Sequence, residues 1–326
     1  MHRRRLLWLA TVALFTFTNC GGGGSSSQSG AGGNNNNGNG GTGGSASTEV
    51  LYAAYGTPDG IVAGFILPLQ IGPTGKLTAL KSVPGPWGAV SIVTDPTLHF
   101  LYSSDFNSEA VFGYSIDPIT GNLTPLAGSP YSTGYVGFGN GGALAIDPVG
   151  NFLFFTDSFG DIVTFIRNSD GTLTPSAASV TYDTNQPVQM VVDPAGKFLY
   201  ASNHADYPNG GQISVFLIDT KMGALSPVAG SPFTFAQQNS EPWGLAMNSQ
   251  GTYLFNALSN VNSVAALSVN GSTGGVTQVS GSPFQAARNP EQLILSPSGK
   301  FLYVGNTGSG GISTYSVDEI LGKLKL

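Results

Sequence analysis

The chain is poor in the residue types on which most catalytic and metal sites depend. It has one cysteine and three histidines, and only 9% of its 326 residues are charged. A single cysteine excludes an internal disulfide framework and a paired-cysteine zinc site. Because the chain also lacks a Gly-x-Ser-x-Gly elbow, a P-loop and a His-Glu-x-x-His motif, it offers no nucleophile or phosphate cradle of those kinds. We expect neither a metal nor a cofactor.

Basic residues are scarce as well. The chain has 12 Lys and Arg against 18 Asp and Glu, and three of the basic residues are Arg3, Arg4 and Arg5. The remainder carries 9 basic residues (12 − 3) against the same 18 acidic ones. Nucleic-acid binding requires a concentrated basic face, so nucleic acid is not an expected partner.

The first 20 residues have the pattern of an export signal. The three arginines precede an apolar run over residues 6–17, which is too short to span a bilayer comfortably. The run is followed by Cys20, in a context that resembles the lipobox of bacterial lipoproteins, with Asn19 where a small residue is usual. We expect residues 1–20 to be a signal peptide with lipidation at Cys20. The alternatives are a signal peptide cleaved without lipidation and an uncleaved anchor. The expected location is the periplasm or the cell surface, with the lipid as the only membrane contact.

A low-complexity segment follows the cysteine. Residues 21–48 are mostly Gly, Ser and Asn and have no side chain able to build a core, so we expect a disordered tether. At about 28 residues its typical end-to-end distance is on the order of 30 Å. Residues 49–326 remain as the folded domain.

Repeats dominate that domain. The phrase TGNLTPLAGSPYST (120–133) returns as MGALSPVAGSPFTF (222–235) and as TGGVTQVSGSPFQA (273–286). A turn before an aromatic strand also recurs every 50 residues or so. Each unit contains four short apolar runs with Gly and Pro at the junctions, which is typical of four strands. The pattern predicts an all-β fold, a β-propeller of four-stranded blades. The repeated phrase is expected to be structural, a tight turn into the outer strand followed by a crossover.

The blade count leaves the closure of the ring open. The domain begins near Val50 with a second strand, so the first blade lacks its innermost strand. About six units are present, and residues 322–326 fall inside the outer strand of the sixth. Either six blades close imperfectly, or the chain is a fragment of a longer, seven-bladed propeller.

The blade sequence carries a family resemblance. The run DPAGKFLYASN, GQISVFLID and GALSPVAGSPF, within residues 193–233, resembles the lactonase family of seven-bladed propellers, which includes the propeller-type 6-phosphogluconolactonases. The resemblance extends over about residues 49–326. The sequence is also similar to YVTN-type secreted surface propellers, which need not be enzymes. Enzymes of the family place Arg and His after the inner-strand prolines, where this chain has Val188, Trp243 and Glu291. His204 stands where the family has an arginine after Ser-Asn.

The start of each inner strand is the predicted site, because these starts converge near the axis of a propeller. Aromatic and amide side chains there suit a polar ligand. The predicted ligand-binding residues are Trp87, Gln186, Gln189, Trp243, Gln292 and His204. The catalytic candidates are Glu241 and Glu291, which could position a water, and Arg288, which could neutralise an anion. The alternative is that the tryptophans pack between blades and the charges form a solvated rim.

These features favour an envelope-tethered scaffold that binds a sugar lactone, a glycan or a protein partner. The alternative is a hydrolase that opens a sugar lactone, with 6-phosphogluconolactonase-like activity. A structural surface-layer or adhesion role is a third hypothesis.

Overall fold

The computed structural model describes residues 12–16, 49–55, 64–72, 74, 76–105, 107–133, 142–181, 186–204, 211–237 and 239–326. Cys20, the predicted tether and most of the predicted signal peptide lie outside these residues. All regular structure in the described ranges is β-strand, which confirms the all-β prediction. Nowhere in that part of the chain does a helix have the length and apolar character needed to cross a bilayer.

The strands form six antiparallel sheets. The sheets follow one another in chain order, and each is built from strands that are consecutive in the sequence. The first sheet contains β1 (Val12–Thr16), β2 (Glu49–Tyr55), β3 (Phe65–Ile71), β4 (Leu77–Ala79) and β5 (Val83–Pro84). The second contains β6 (Ala89–Thr94), β7 (Phe100–Asp105), β8 (Ala110–Ile116), β9 (Leu123–Pro125) and β10 (Tyr131–Ser132). The third contains β11 (Leu144–Ile146), β12 (Phe152–Thr156), β13 (Ile162–Arg167) and β14 (Leu173–Thr181).

The second half repeats this plan. The fourth sheet contains β15 (Pro187–Val192), β16 (Phe198–Asn203), β17 (Gln212–Ile218), β18 (Leu225–Pro227) and β19 (Phe233–Thr234). The fifth contains β20 (Pro242–Met247), β21 (Tyr253–Leu258), β22 (Ser263–Val269), β23 (Val276–Gln278) and β24 (Phe284–Gln285). The sixth contains β25 (Pro290–Leu295), β26 (Phe301–Asn306), β27 (Gly311–Val317) and β28 (Leu324–Lys325). The sheets are the six blades of a propeller.

The first blade differs from the expectation that it lacks an innermost strand. β1 pairs antiparallel with β2, from Val12 opposite Ala53 to Thr16 opposite Glu49. The backbone groups along the inner edge of β2 therefore have a partner, drawn from the apolar run that the sequence analysis assigns to the export signal. The physical reason is that any short β-forming segment can complete an unpaired strand edge.

The repeated phrase has the structural role predicted for it. Gly121 and Gly128 have φ of +71° and +74°, as the two turns require. In each copy the phrase places a short fifth strand, β10, β19 or β24, beside the start of the third strand. In each copy, the serine directly before the proline also accepts a hydrogen bond from a backbone N–H of that third strand. The pairs are Gly113 N with Ser129 Oγ (2.9 Å), Val215 N with Ser231 Oγ (2.8 Å) and Ala266 N with Ser282 Oγ (2.9 Å).

Neighbouring blades are joined by a contact between a glycine and a bulky side chain. Gly171, in the turn before the fourth strand of the third blade, lies against Phe100 at the start of β7 in the second blade. A Cβ on Gly171 would stand only 2.2 Å from Phe100 Cδ1. Three other blade pairs repeat this contact, and at the first pair a valine within β2 takes the aromatic's place. These pairs are Gly223 on Phe152, Gly274 on Phe198, Gly322 on Tyr253 and Gly121 on Val50.

Five buried apolar clusters fill the spaces between successive blades. Among the described residues no such cluster joins the sixth blade to the first. Phe301 and Tyr303, in the sixth blade, are 44% and 39% exposed, whereas Phe198 and Tyr200, at the same repeat positions in the fourth, are 2% and 0% exposed. The sixth blade therefore presents to solvent the face that the other blades bury. Imperfect closure and a fragment of a longer propeller both stay predictions.

Candidate functional site

In each blade the inner strand runs antiparallel to the second strand. The starts of the inner strands and the ends of the second strands therefore lie at the same side of the molecule. Pro187 at the start of β15 lies opposite Asn203 at the end of β16, and Pro290 lies opposite Asn306 in the same way. We call this side the site end, and the side with the turns between first and second strands the turn end. In β15, β20 and β25 the pairing register with the second strand shifts just after the first proline. Such an irregularity changes the direction of the side chains that follow it.

Three of these inner strands are preceded by a residue in the left-handed region. Gln186, Glu241 and Asn289 have φ of +55°, +43° and +52°, each directly before the strand's first proline. A residue before proline ordinarily adopts extended backbone, and left-handed φ in a residue other than glycine costs about 1–3 kcal/mol. Such conformations persist only where surrounding contacts enforce them, and they concentrate at functional sites.

The backbone contact that holds this conformation is the same in all three blades. The carbonyl of the left-handed residue accepts a hydrogen bond from the backbone N–H of the residue just after the second strand. These pairs are His204 N to Gln186 O (3.1 Å), Ser259 N to Glu241 O (3.0 Å) and Thr307 N to Asn289 O (2.9 Å). The loop that follows each second strand is therefore tied to the start of the inner strand beside it.

Three of the predicted residues meet at the border of the fourth and fifth blades. His204 Nε2 lies 3.7 Å from Glu241 Oε1, with the two side chains 23% and 25% exposed. The indole of Trp243 stands edge to face against the imidazole, with 5.3 Å between ring centroids and an interplanar angle of 66°. Solvent reaches both members of the His–Glu pair, while the indole closes one side of it.

Trp243 is held from behind by polar contacts of two blades. Its carbonyl accepts hydrogen bonds from the Ser202 hydroxyl and from Asn256 Nδ2, and Asn256 Nδ2 also donates to Gly244 O at 2.8 Å. Ser202 and Asn256 are both fully buried. The backbone that carries Trp243 therefore cannot shift without breaking buried hydrogen bonds.

The other two catalytic candidates lie in the sixth blade. Glu291 Oε1 accepts a hydrogen bond from the Thr307 hydroxyl at 2.7 Å. Arg288 is exposed, and its carbonyl accepts from Gly308 N at 3.1 Å. Gly244 packs against the backbone of Glu291, since a Cβ there would lie 2.5 Å from Glu291 O. The structure thus joins Glu241 with His204, not with Arg288 and Glu291.

The remaining predicted residues lie at the same end of the sheets. Gln186 is exposed, and its carbonyl accepts a hydrogen bond from the backbone N–H of His204. Gln189 and Gln292 lie opposite Ser202 and Gly305, each one step beyond the register shift. Trp87 precedes β6 in the second blade and is 50% exposed.

Sequence reasoning missed Asn289 and the residues that support it. Asn289 N donates to Asn262 Oδ1 at 2.9 Å, and its amide Nδ2 donates to Ser259 Oγ at 3.3 Å. A signal was present, because a polar residue precedes proline in Gln186–Pro187, Glu241–Pro242 and Asn289–Pro290. The three dipeptides mark equivalent positions in three blades. A search for charged side chains alone selected Arg288, the residue before Asn289.

Buried acidic groups lie at the site end between the second and third blades. Glu109 and Asp157 are 2% and 1% exposed, and Glu109 Oε1 accepts from Ser158 N at 3.2 Å. Burial raises the pKa of Asp157, although backbone N–H groups of Phe159 and Asp161 donate to its Oδ1. Among the described residues, no group of three or more His, Cys, Asp and Glu is arranged to hold a metal ion.

Comparison with known families assigns the chain. The sequence pattern of the family "Lactonase, 7-bladed beta-propeller" matches residues 115–236 and 228–326. The chain belongs to this lactonase family. The resemblance in blade sequence is confirmed, and the structure shows six blades in the described ranges.

Individual relatives agree with the family assignment. A protein of Arthroderma benhamiae, named as a probable 6-phosphogluconolactonase, is 26% identical over 270 residues, which are 79% of this chain and 57% of the relative. The chain thus spans little more than half the length of that relative. Two solved structures share the fold, each covering 85% of this chain and 80% of their own. They are a candidate 6-phosphogluconolactonase of Bacteroides uniformis (20% identity, TM-score 0.70) and the periplasmic gluconolactonase of Pseudomonas aeruginosa (16%, 0.66).

Proposed function

We propose that this chain hydrolyses a sugar lactone at the site end, with His204 and Glu241 as the reacting pair. The observation that carries the proposal is the 3.7 Å approach of His204 Nε2 to Glu241 Oε1 beside Trp243. The family assignment adds support, since two of its solved neighbours are named as lactonases.

The pair can supply the proton transfers that lactone opening requires. With Glu241 facing Nε2, the Nδ1 nitrogen of His204 is left to take a proton from water as the water oxygen attacks the lactone carbonyl. The Glu241 carboxylate orients the ring and stabilises the imidazolium that forms, as the acid does in a catalytic triad. The separation of 3.7 Å exceeds a hydrogen bond, and such contacts shorten when substrate excludes water.

Collapse of the tetrahedral intermediate completes the reaction. The bond between the carbonyl carbon and the ring oxygen breaks, and the imidazolium returns its proton to that oxygen. One water is consumed and one hydroxy acid is formed, which loses its proton to solvent at neutral pH. The indole of Trp243 lies beside this position, and an aromatic side chain suits the apolar C–H face of a sugar ring.

The test is hydrolysis of glucono-δ-lactone by the full chain, followed as acid release and corrected for spontaneous opening. We expect enzymatic turnover that falls about 100-fold or more in His204→Gln, the range typical of losing a general base. Gln278→Ala is a matched control, since Gln278 is a polar residue of an outer strand, β23. Absence of turnover, together with a rise in Tm on adding the lactone, would refute hydrolysis and favour the binding scaffold.

We also propose export and anchoring of the chain through Cys20, on the basis of the arginines, apolar run and cysteine of residues 1–20. Cleavage before Cys20 removes β1, so a lipidated chain and a first blade completed by Val12–Thr16 exclude each other in one molecule. The intact mass of the chain isolated from membranes decides between them. A diacylated N-terminal cysteine is the expected result, and an intact N-terminus contradicts the proposal.

A further inference from the structure

The basic side chains of the domain are segregated to one side of the molecule. Seven of the nine that follow Arg5 lie in or beside the turns of the turn end: Lys76, Arg167, Lys197, Lys221, Lys300, Lys323 and Lys325. Two of them are held there by hydrogen bonds, Lys197 to Ser272 O at 2.9 Å and Arg167 to Gly150 O. Lys81 follows the outer strand β4 of the first blade. Among the described residues, Arg288 is the basic residue left at the site end.

Acidic residues occur at both ends of the molecule, but at the site end hardly any basic residue offsets them. Six carboxyl groups belong to residues at the ends of second strands, in the loops after them, or at the starts of inner strands. These residues are Asp105, Glu109, Asp157, Asp161, Glu241 and Glu291. The nearest to the reacting histidine is Glu241, and Glu291 lies on the neighbouring inner strand, whose backbone contacts Gly244. The site end therefore carries a clear excess of negative charge.

From this segregation we infer that the lactone bound at the site end carries no phosphate group; the inference rests on the proposed function. A phosphate ester brings about −1.5 to −2 charges near neutral pH and is bound in proteins by Arg and Lys clusters or by helix N-termini. Neither a basic cluster nor a helix is present at the site end of the described structure. Glu241 and Glu291 would instead repel the phosphate, and like charges brought together are costly. A neutral aldonolactone avoids this repulsion.

Arg288 is the residue that could overturn this conclusion. Its side chain is exposed, and its stem lies over Gly308, where a Cβ would be 2.9 Å from Arg288 Cγ. A single exposed guanidinium is a weak phosphate site, because solvent screens its charge. If Arg288 nevertheless anchors a phosphate, its removal will weaken the phosphorylated substrate selectively.

The experiment compares kcat/KM of the full chain on glucono-δ-lactone and on its 6-phosphate, at about 0.01 M and about 0.15 M ionic strength, where the Debye length falls from about 30 Å to about 8 Å. We expect the neutral lactone to be preferred at least about tenfold at low ionic strength. Added salt should raise kcat/KM for the phosphate ester and leave that for the neutral lactone unchanged. Glu291→Lys should improve the phosphate ester severalfold relative to the neutral lactone. Glu319→Lys, the same charge change at the turn end, should not alter the ratio.

The outcomes separate the two proposals. Preference for the 6-phosphate, or a loss on Arg288→Gln confined to the 6-phosphate, overturns the inference and leaves lactone hydrolysis standing. No turnover of either lactone refutes the proposed function, and the substrate class with it. A third outcome is a preference for the neutral lactone that salt does not reduce and that Glu319→Lys changes as much as Glu291→Lys does. That outcome contradicts the inference that charge repulsion at the site end causes the preference.

Discussion

Replacement of Gly171 by alanine tests how the blades are joined. Gly171 has φ of +83°, and a Cβ there would lie 2.2 Å from Phe100 Cδ1 of the preceding blade. Left-handed backbone costs an alanine about 1–2 kcal/mol, and overpacking adds typically about 1–3 kcal/mol. We therefore expect Gly171→Ala to lose about 2–5 kcal/mol of unfolding free energy.

Gly281→Ala is the matched control. Gly281 has a similar φ of +88°, but no atom lies within 4 Å of the position its Cβ would take. It should lose only the backbone cost of about 1–2 kcal/mol. At about 2–4 °C per kcal/mol, Gly171→Ala should unfold roughly 2–12 °C below Gly281→Ala in a thermal melt followed by circular dichroism.

The coupling to Phe100 identifies the source of the loss. Phe100→Leu shortens the side chain under Gly171 and should recover part of the steric cost when combined with Gly171→Ala. Equal melting temperatures for Gly171→Ala and Gly281→Ala would refute the inter-blade contact as an energetic constraint. So would strict additivity of the Gly171 and Phe100 substitutions.

The remaining predictions concern buried polar groups. Tyr102 OH donates to Gly171 O at 2.7 Å, whereas Tyr200 OH is buried with no hydrogen-bond partner among the described residues. Tyr102→Phe should therefore cost about 1 kcal/mol, and Tyr200→Phe should be neutral or stabilising in urea unfolding. Burial raises the pKa of Asp157 above its unfolded value, so the folded state binds the proton more tightly and loses stability as pH rises through the folded pKa. Asp157→Asn should therefore be at least as stable as the parent chain at pH 7, and its advantage should vanish in acid below the unfolded pKa; a larger advantage in acid would contradict the sign.

Much of the fold could be predicted because the blade is a local unit. The strands and turns of a blade lie within about 50 contiguous residues, and turn chemistry such as Gly121 and Gly128 is encoded in the phrase itself. The glycine contact with Phe100 could not be predicted in this way, since it joins residues of different blades. The partner of the inner edge of β2 was missed for another reason, because Val12–Thr16 reads as part of an export signal.

The sequence predicts where the candidate residues lie better than it predicts which of them contact one another. The inner-strand starts lie at one end of the structure, and His204, Glu241 and Trp243, all candidates from the sequence, lie together there; that they form a functional site stays a prediction. Their meeting depends on how the fourth and fifth blades pack and on the left-handed backbone of Glu241, neither of which has a local sequence signal. Asn289 was missed because its role lies in backbone conformation, not in a reactive side chain.

The most direct test of the proposed site is a double-mutant cycle of His204→Gln and Glu241→Gln on hydrolysis of the neutral lactone. Residues that act as one catalytic unit are strongly non-additive, so the double variant should be no slower than about the His204→Gln single variant. That result, with both single variants well below the parent chain in kcat, is what the 3.7 Å pair predicts. Losses that multiply in the double variant, or single variants as active as the parent chain, would contradict His204 and Glu241 as the reacting pair.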